Sequence, residues 1–148
     1  MDIAKNKKAY FQYEILEEVE AGIVLKGSEV KSLRLKKVSL TESYAVFKRN
    51  ELYLLNARIE PYVQATTFNH DPVASRKLLL KKKELLRLKG KLAEKGWVLI
   101  PLKMYFKHNR YVKVLLGLGK GKKMHDKRAA IKDRDLKREA LRELKDYK

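Results

Sequence analysis

The stretch WVLIPLKMYFKHNRYVKVLL, residues 97–116, decides the fold class of this chain. Two runs rich in β-branched and aromatic residues, Trp97–Phe106 and Arg110–Leu116, flank a polar segment at residues 107–109, which predicts two strands joined by a turn. Similar runs occur upstream. We predict further strands at Tyr10–Leu25, bent at Gly22, and at Val38–Arg49 and Glu51–Ile59. Residues 48–51 form the turn between the last two, where Asn50 tolerates the left-handed conformation.

Helical patterns separate these strands. A short helix should start at Gly27-Ser28-Glu29 with Ser28 as its N-cap. Leucines at helical spacing predict a helix from Arg76 to Glu94 that breaks at Gly90 and ends at Gly96. We expect residues 1–9 to be a partly ordered lead-in and residues 61–72 to be a loop. About five or six antiparallel strands with inserted helices are best explained by a mainly β fold, a small, partly open barrel of the OB type.

The composition points to a polyanionic partner. The chain has 148 residues, a net charge of +18 and 45% hydrophobic residues. Residues 1–116 carry a net charge of +12 and residues 117–148 one of +6, so both parts are basic. Such a balance favours nucleic acid or an anionic membrane, and no apolar run reaches the length of a membrane span, so we expect no membrane partner. The lack of cysteine excludes disulfides and thiolate metal sites, and it agrees with a cytoplasmic location.

After Leu116 the sequence GLGKGKKMHDKR, residues 117–128, has a different character. Three glycines alternate with leucine and lysine, and five basic residues surround one histidine and one aspartate. This composition suits contact with phosphates. We therefore predict two parts, an OB-like RNA-binding barrel at 1–116 and a flexible basic tail at 117–148. A thin apolar stripe at helical spacing predicts a tail that is disordered alone and helical when bound.

Three groups of side chains are candidates for function. The run Lys81-Lys82-Lys83 suits RNA contact as well as a solvated helix face. Glu20 can accept hydrogen bonds from base amino and imino groups, although the residues alone favour an ordinary surface glutamate. His70-Asp71 suggests a catalytic or metal pair. Because no second pair of ligands with metal-binding spacing accompanies it, we expect no metal and no cofactor.

Several motifs, in order and spacing, resemble the SmpB family of SsrA-binding proteins. The resemblance runs from about residue 6 to residue 138 and is highly specific. Its motifs are Asn6-Lys7-Lys8-Ala9, Tyr13-Glu14-Ile15, Glu20-Ala21-Gly22, GSEVKSLR at 27–34, Asp71-Pro72, RKLLL at 76–80 and GKGKKMHDKR at 119–128.

The resemblance implies a non-enzymatic, OB-type protein that binds transfer-messenger RNA (tmRNA, the SsrA RNA) and delivers it to stalled ribosomes for trans-translation. It implies that the C-terminal tail enters the empty mRNA channel and the decoding centre of the small subunit. The partners are then tmRNA and the ribosome, and we expect a monomer. The implied tmRNA face comprises Lys7, Lys8, Glu20, Arg76, Lys77, Leu79 and Lys81. The implied ribosome-binding tail comprises Gly121, Lys122, Lys123, His125, Asp126, Lys127 and Arg128.

One departure from the family and two alternatives bear on this interpretation. Lys81 stands where the family usually has histidine or asparagine, and a lysine there favours a phosphate contact over a base contact. From the residues alone, a ribosomal or other structured-RNA-binding protein explains the composition equally well. An RNA-processing enzyme that uses His70 and Asp71 is the alternative from a different class.

Overall fold

The structure, a computed structural model, describes residues 2–63 and 69–121. This part of the chain forms nine strands and three helices. In chain order they are β1 (Asp2–Lys5), α1 (Lys7–Gln12), β2 (Tyr13–Ile23), α2 (Gly27–Arg34), β3 (Val38–Ser39), β4 (Tyr44–Lys48), β5 (Glu51–Leu55), β6 (Arg58–Ile59), β7 (Arg76–Leu79), α3 (Lys82–Lys95), β8 (Val98–Lys107) and β9 (Tyr111–Gly121).

Six strands close into an antiparallel barrel. Their order is β8-β4-β5-β7-β2-β9, and pairing between β9 and β8 completes the ring, while β1 adds to β8 as a further strand. The ring is thinnest between β4 and β8, where the paired residues are Ala45 and Leu99. The predicted mainly β fold, a small OB-type antiparallel barrel with inserted helices, is confirmed. The short strands β3 and β6 form a separate pair beside it.

The barrel is filled by side chains that alternate inward along the strands. Its core includes Leu52 and Leu54 from β5, Leu78 from β7, and Leu116 and Leu118 from β9, all at most 1% exposed. A second, smaller cluster lies on the outside of the barrel beneath α1. There Ala9 packs with Ile100 and Leu102, and Tyr13, Ile15 and Leu115 border the contact.

The N-terminal segment is more regular than predicted. Residues 2–5 form β1, which pairs with β8, and Ile3 and Asn6 are buried, so the prediction of a partly ordered lead-in was wrong. The predicted strand Tyr10–Leu25 begins only at Tyr13, because residues 7–12 form α1. Asn6 anchors this helix by donating from Nδ2 to the Pro101 carbonyl at 3.0 Å. This contact spans most of the sequence, and no local pattern signals it.

The predicted helix Arg76–Glu94 is in fact a strand followed by a helix. Residues 76–79 form β7, which pairs with β5 on one side and β2 on the other. The leucines here alternate between buried and exposed, a strand period that the neighbouring leucines of α3 mask in sequence. Helix α3 runs through Gly90 without a break and ends, as predicted, at Gly96, whose φ is +66°. The predicted strands at 38–49 and 51–59 are likewise interrupted, giving β3 to β6.

Strand β9 continues to Gly121, beyond the predicted end at Leu116. Residues 117–121 therefore belong to the sheet and not to the tail, and the predicted boundary at 116/117 was misplaced. The glycines here make room for packing on the outer face. A Cβ on Gly117 would lie 3.0 Å from the Leu102 side chain, and one on Gly119 would lie 3.2 Å from Tyr13 Cβ. The remainder of the predicted tail, from residue 122, lies outside the described residues.

Two local predictions need smaller corrections. In the β4–β5 turn the left-handed residue is Arg49, with φ +60°, and not Asn50. Helix α2 begins at Gly27 as predicted, but its N-cap is Lys26, and the Ser28 hydroxyl bonds to His70 instead. The β8–β9 turn occurs where predicted, with His108 and Asn109 both at positive φ.

Candidate nucleic-acid interface

A row of four directly opposed residues crosses the outer face of the barrel. Leu79 of β7 pairs with Gly22 of β2, Gly22 pairs with Lys113 of β9, and Lys113 pairs with Tyr105 of β8. Directly opposed residues in adjacent strands share a face of the sheet. This row therefore brings residues from four strands onto one outer surface.

A shallow recess lies over Gly22 in this row. It is lined by Glu20, Gly22, Leu79, Leu80, Lys81, Glu84 and Lys113. Three residues of the predicted tmRNA face, Glu20, Leu79 and Lys81, thus meet in one place. Leu79 is 49% exposed and gives the recess an apolar surface. Gly22 leaves room in the recess because it has no side chain, and a Cβ at this position would lie 3.3 Å from Leu79 Cβ.

The Glu20 carboxylate is held by two donors from β8. The Tyr105 hydroxyl donates to Oε2, and Lys107 Nζ donates to Oε1 at 3.0 Å. The hydrogen bond from Tyr105, followed by that from Lys107, lowers the pKa of Glu20 below its ordinary value of 4.5, so Glu20 is an anion at neutral pH. Burial, followed by the hydrogen bond to Glu20, raises the pKa of Tyr105 to about 12. The tyrosine is therefore a neutral donor. We name this set the Glu20 triad.

The Glu20 triad includes functional candidates that the sequence did not reveal. Tyr105 and Lys107 lie 85 and 87 positions from Glu20, and Tyr105 belongs to a strand that is separated from β2 by β9. In the sequence, Tyr105 is only one aromatic residue within the run Trp97–Phe106. Strand alternation would have placed Lys113 on the outer face, but only the β2–β9 register places it opposite Gly22. No signal in the sequence supplies that register.

Lys77 belongs to a second set of the same composition. Its Nζ donates to Glu51 Oε1 at 3.1 Å, and the Tyr53 hydroxyl donates to Glu51 Oε2 at 2.8 Å. We name this set the Glu51 triad. The Glu51 triad lies on the outer surface of β5 and β7. Its Lys77 is the neighbour of buried Leu78 in β7. Lys77 is accordingly available at the surface, as predicted for a phosphate contact, but it is already paired with a carboxylate.

Arg76 does not belong to the RNA face, and the prediction that it contacts phosphate is contradicted. Its side chain is 2% exposed and forms an ion pair with buried Glu29 of α2. The guanidinium also donates to the backbone carbonyls of Ala57, Asp71 and Pro72. Because β-strand side chains alternate, the residue beside outward-facing Lys77 points inward. Arg76 therefore ties α2 and the 57–72 connection to β7.

Lys7 and Lys8 lie on α1 and do not line the recess over Gly22. Both are exposed, and Lys8 Nζ lies 3.7 Å from Glu42 Oε1. The structure therefore places them on the helix that covers the second apolar cluster, as a basic surface separate from the recess lining.

The His70-Asp71 pair proposed for an enzyme is not arranged for catalysis. His70 is 4% exposed, with Nδ1 bonded to the Ser28 hydroxyl and Nε2 to the Ile59 carbonyl, both at 2.8 Å. Asp71 Oδ1 accepts from the Val73 backbone in a local turn. Within residues 2–63 and 69–121, no group of three or more histidine, aspartate or glutamate side chains could hold a metal ion.

The predicted ribosome-binding tail is described only at its first residue. Gly121 ends β9 and pairs with Tyr13 of β2. Lys122, Lys123, His125, Asp126, Lys127 and Arg128 lie outside the described residues. Among the helices that the structure does describe, none has the length and apolarity needed to cross a membrane.

Comparison with known proteins gives one consistent result. The model of the SmpB protein family matches residues 3–146. The SsrA-binding protein of Treponema denticola is 56% identical over 143 residues, which cover 97% of this chain and 92% of that protein. The SsrA-binding protein of Aquifex aeolicus is 55% identical over 144 residues, which cover 97% and 91%. A solved structure described as "tmRNA-SmpB: a journey to the center of the bacterial ribosome" matches with a TM-score of 0.68 at 55% identity, covering 82% of this chain and 85% of that one.

Proposed function

This chain belongs to the SmpB family of SsrA-binding proteins, and from that premise we propose that it binds tmRNA and delivers it to stalled ribosomes for trans-translation. The observation that carries the proposal is the extent of the family match, residues 3–146, which takes in both the barrel and nearly all of the basic tail. A family match confined to the barrel would support RNA binding alone. Because the match includes the tail, it supports both tmRNA binding and delivery to stalled ribosomes.

In this proposal the barrel holds tmRNA. Glu20, Leu79 and Lys81 meet in the recess over Gly22, and Lys77 lies beside it on the outer face of β7. Lys113 and Lys107 add two cations that the sequence did not single out. Lys7 and Lys8 on α1 provide further phosphate contacts on a neighbouring surface. Lysines at exposed positions bind phosphates as point charges and release counterions when they do so.

In the same proposal the tail acts on the ribosome. Residues from Lys122 onward enter the empty mRNA channel, and His125 approaches the decoding-centre RNA. Its ring can stack on an unpaired base, while Lys127 and Arg128 meet phosphates and Asp126 accepts from a base or from tail backbone. The two parts then have separable duties, tmRNA binding in the barrel and engagement of the stalled ribosome in the tail.

The test separates these duties with a triple variant, Asp126→Ala, Lys127→Ala, Arg128→Ala. Filter binding to tmRNA and peptide tagging on ribosomes stalled without a stop codon are measured on the same preparations. A matched control, Lys145→Ala, Asp146→Ala, Lys148→Ala, removes the same charges beyond the end of the motif resemblance. We expect both variants to bind tmRNA like the wild type, and only the first to lose tagging.

Two outcomes would contradict this proposal. Normal peptide tagging by the first variant would show that Asp126, Lys127 and Arg128 are not needed on the ribosome. Equal retention of tmRNA and bulk transfer RNA by the wild-type protein in a competition assay would instead favour a general structured-RNA-binding protein.

A further inference from the structure

A groove along the seam between β4 and β8 has a lining unlike the basic surface of the molecule. It lies between α1 and the end of α3 and has a volume of about 770 Å³. Most of its lining is apolar, and its aromatic residues are Tyr13, Tyr44, Phe47 and Trp97. The charged residues in the lining are Glu42 and Lys89, of opposite sign, although the chain carries a net charge of +18. RNA is a poor occupant for this groove, because its phosphates require cations.

The groove exists because β4 and β8 separate soon after they meet. In the described part of the chain, their pairing is confined to Ala45 opposite Leu99. An antiparallel register would place Phe47 opposite Trp97, two residues farther along each strand, but these residues are not paired and both line the groove. Tyr44, at the start of β4, is 40% exposed. Apolar side chains that are left at the surface of a groove are typical of a site that binds another protein segment.

The chain leaves the barrel beside this groove. Gly121, the last residue of β9, pairs with Tyr13, and Gly119 pairs with Val98. Tyr13 and Val98 both line the groove. The segment that follows β9 therefore starts next to the groove, and its residues 122–128 can span up to about 25 Å when extended. The rest of the tail is then within reach of the groove.

Residues 129–147 have the properties that an occupant of the groove needs. An apolar stripe follows helical spacing there and comprises Ala129, Leu136, Ala140, Leu144 and Tyr147. Residues 129–147 contain six Lys/Arg and five Asp/Glu, a net charge of +1, whereas residues 122–128 contain four and one, a net charge of +3. A basic barrel therefore repels the stripe segment only weakly. Because such a helix is marginal in water, its apolar face needs a covering surface.

We propose that, in the free protein, residues 129–147 form a helix that docks its apolar stripe in the groove between α1 and α3. The leucines of the stripe cover Tyr44 and Trp97, and the charged faces of the helix stay in water. The barrel is then a partner on which the tail becomes helical, which revises the prediction of a tail that is disordered alone. The docking does not depend on the proposed function. If that function holds, the stripe must leave the groove before the tail enters the mRNA channel.

One pair of variants changes the tail side of this contact. The double variant Leu136→Gln, Leu144→Gln makes the stripe polar. Its control, Ile131→Gln, Leu141→Gln, makes the same change at apolar residues that lie on other faces of the predicted helix. Both double variants keep the charge and the length of the tail, so they differ only in the face that becomes polar.

A second pair of variants changes the barrel side. Tyr44→Gln alters the groove lining, and Tyr111→Gln is its control, since Tyr111 does not line the groove. Each tyrosine is the first residue of its strand, and the two are 40% and 54% exposed, so both variants should keep the fold. Because neither substitution is in the tail, neither changes the helix propensity of residues 129–147. An effect of Tyr44→Gln on the tail therefore has to come through the groove.

The experiment measures amide hydrogen exchange of residues 129–147 in the full-length proteins. We expect exchange in the wild type to be about tenfold slower than in an unstructured segment, which corresponds to a docked form that outnumbers the open form about ten to one. Leu136→Gln, Leu144→Gln and Tyr44→Gln should each lose most of this protection, while both controls keep it. Trp97, the only tryptophan of the chain, lines the groove and gives a second readout. A soluble quencher should reach its fluorescence more easily in the Leu136→Gln, Leu144→Gln variant than in the wild type.

Several results would overturn the docking site. An unprotected tail in the wild type would do so, and so would equal protection in Tyr44→Gln and the wild type. Protection that falls on dilution would assign the groove to the tail of a second copy and overturn the proposal, because a contact within one chain does not depend on concentration.

Filter binding to tmRNA on the same preparations separates this inference from the proposed function. A protein that binds tmRNA but has an unprotected tail would overturn the docking and leave the proposed function standing. A protein that has a protected tail but does not bind tmRNA would overturn the proposed function and leave the docking standing.

Discussion

Arg76 and Lys77 are adjacent cations on one strand, and the structure gives them opposite surroundings. The Arg76 side chain is 2% exposed and paired with Glu29 inside the protein, whereas the Lys77 side chain is 41% exposed and paired with Glu51 outside. Both side chains are cations that can bind phosphate, arginine through a planar fork of donors and lysine as a point charge. The pleat of β7 decides that one stabilises the fold while the other lies on the outer surface.

The comparison teaches how a basic sequence should be interpreted. In a barrel strand such as β7, which lies between β5 and β2, every second side chain points toward the interior, so alternate cations of a charged run are lost to it. A buried cation also requires a buried anion, and Glu29 of α2 provides it. The inward and outward positions of a strand must therefore be assigned before its lysines and arginines are counted as phosphate contacts.

The largest effect is expected from Arg76→Ala. It leaves Glu29 buried without its partner and three backbone carbonyls without their donor, so the free energy of unfolding should fall by about 3–5 kcal/mol. Lys77→Ala, on the same strand, should change it by less than about 0.5 kcal/mol. Urea denaturation followed by circular dichroism measures both. Equal stability of the two variants would mean that the inward and outward positions of β7 have been confused.

A second effect tests side-chain packing on the outer face of the barrel, at two glycines of β9. A Cβ on Gly117 would meet the Leu102 side chain at 3.0 Å, whereas one on Gly121 would meet nothing within 4 Å. Gly117→Ala should therefore destabilise the protein by about 1–3 kcal/mol through overpacking. Gly121→Ala serves as the control and should leave the thermal midpoint close to that of the wild type. If Gly117→Ala were as stable as Gly121→Ala, these residues would not pack as the end of a barrel strand.

These two cases show what the sequence could and could not predict. The hairpin of β8 and β9, the helix end at Gly96 and the antiparallel barrel follow from local patterns, because turn residues and strand composition are local properties. Strand β7 was mistaken for helix because its leucines continue into those of α3, and only pairing with β5 and β2 distinguishes the two. Glu20, Leu79 and Lys81 came from a family resemblance. Tyr105 was missed as the partner of Glu20 because their contact depends on the register of three strands.

A smaller effect is expected for RNA binding by Lys77→Ala. If Lys77 contacts one phosphate, its loss should weaken tmRNA binding about three- to tenfold and reduce the slope of log K against log salt by about 0.7–1. Lys95→Ala is the matched control, since this exposed lysine ends α3 at the opposite terminus from Lys81. Filter binding at several salt concentrations provides both quantities. An unchanged slope would show that Lys77, like Arg76, has a role within the protein alone.

The smallest effect is expected from Glu51→Gln, which frees Lys77 from its carboxylate at 3.1 Å. The hydrogen bond from Tyr53, followed by that from Lys77, lowers the pKa of Glu51 below 4.5. The ion pair is therefore complete above that ordinary value and is lost only as the pH falls through the lowered pKa, so at pH 7 Glu51 competes with RNA for Lys77. Neutralising it should tighten tmRNA binding by less than about twofold, the size expected for a surface pair. Tyr53→Phe, which keeps the carboxylate, should leave the affinity unchanged. A severalfold loss of affinity in Glu51→Gln would instead mean that the Glu51 triad orients Lys77 toward the RNA.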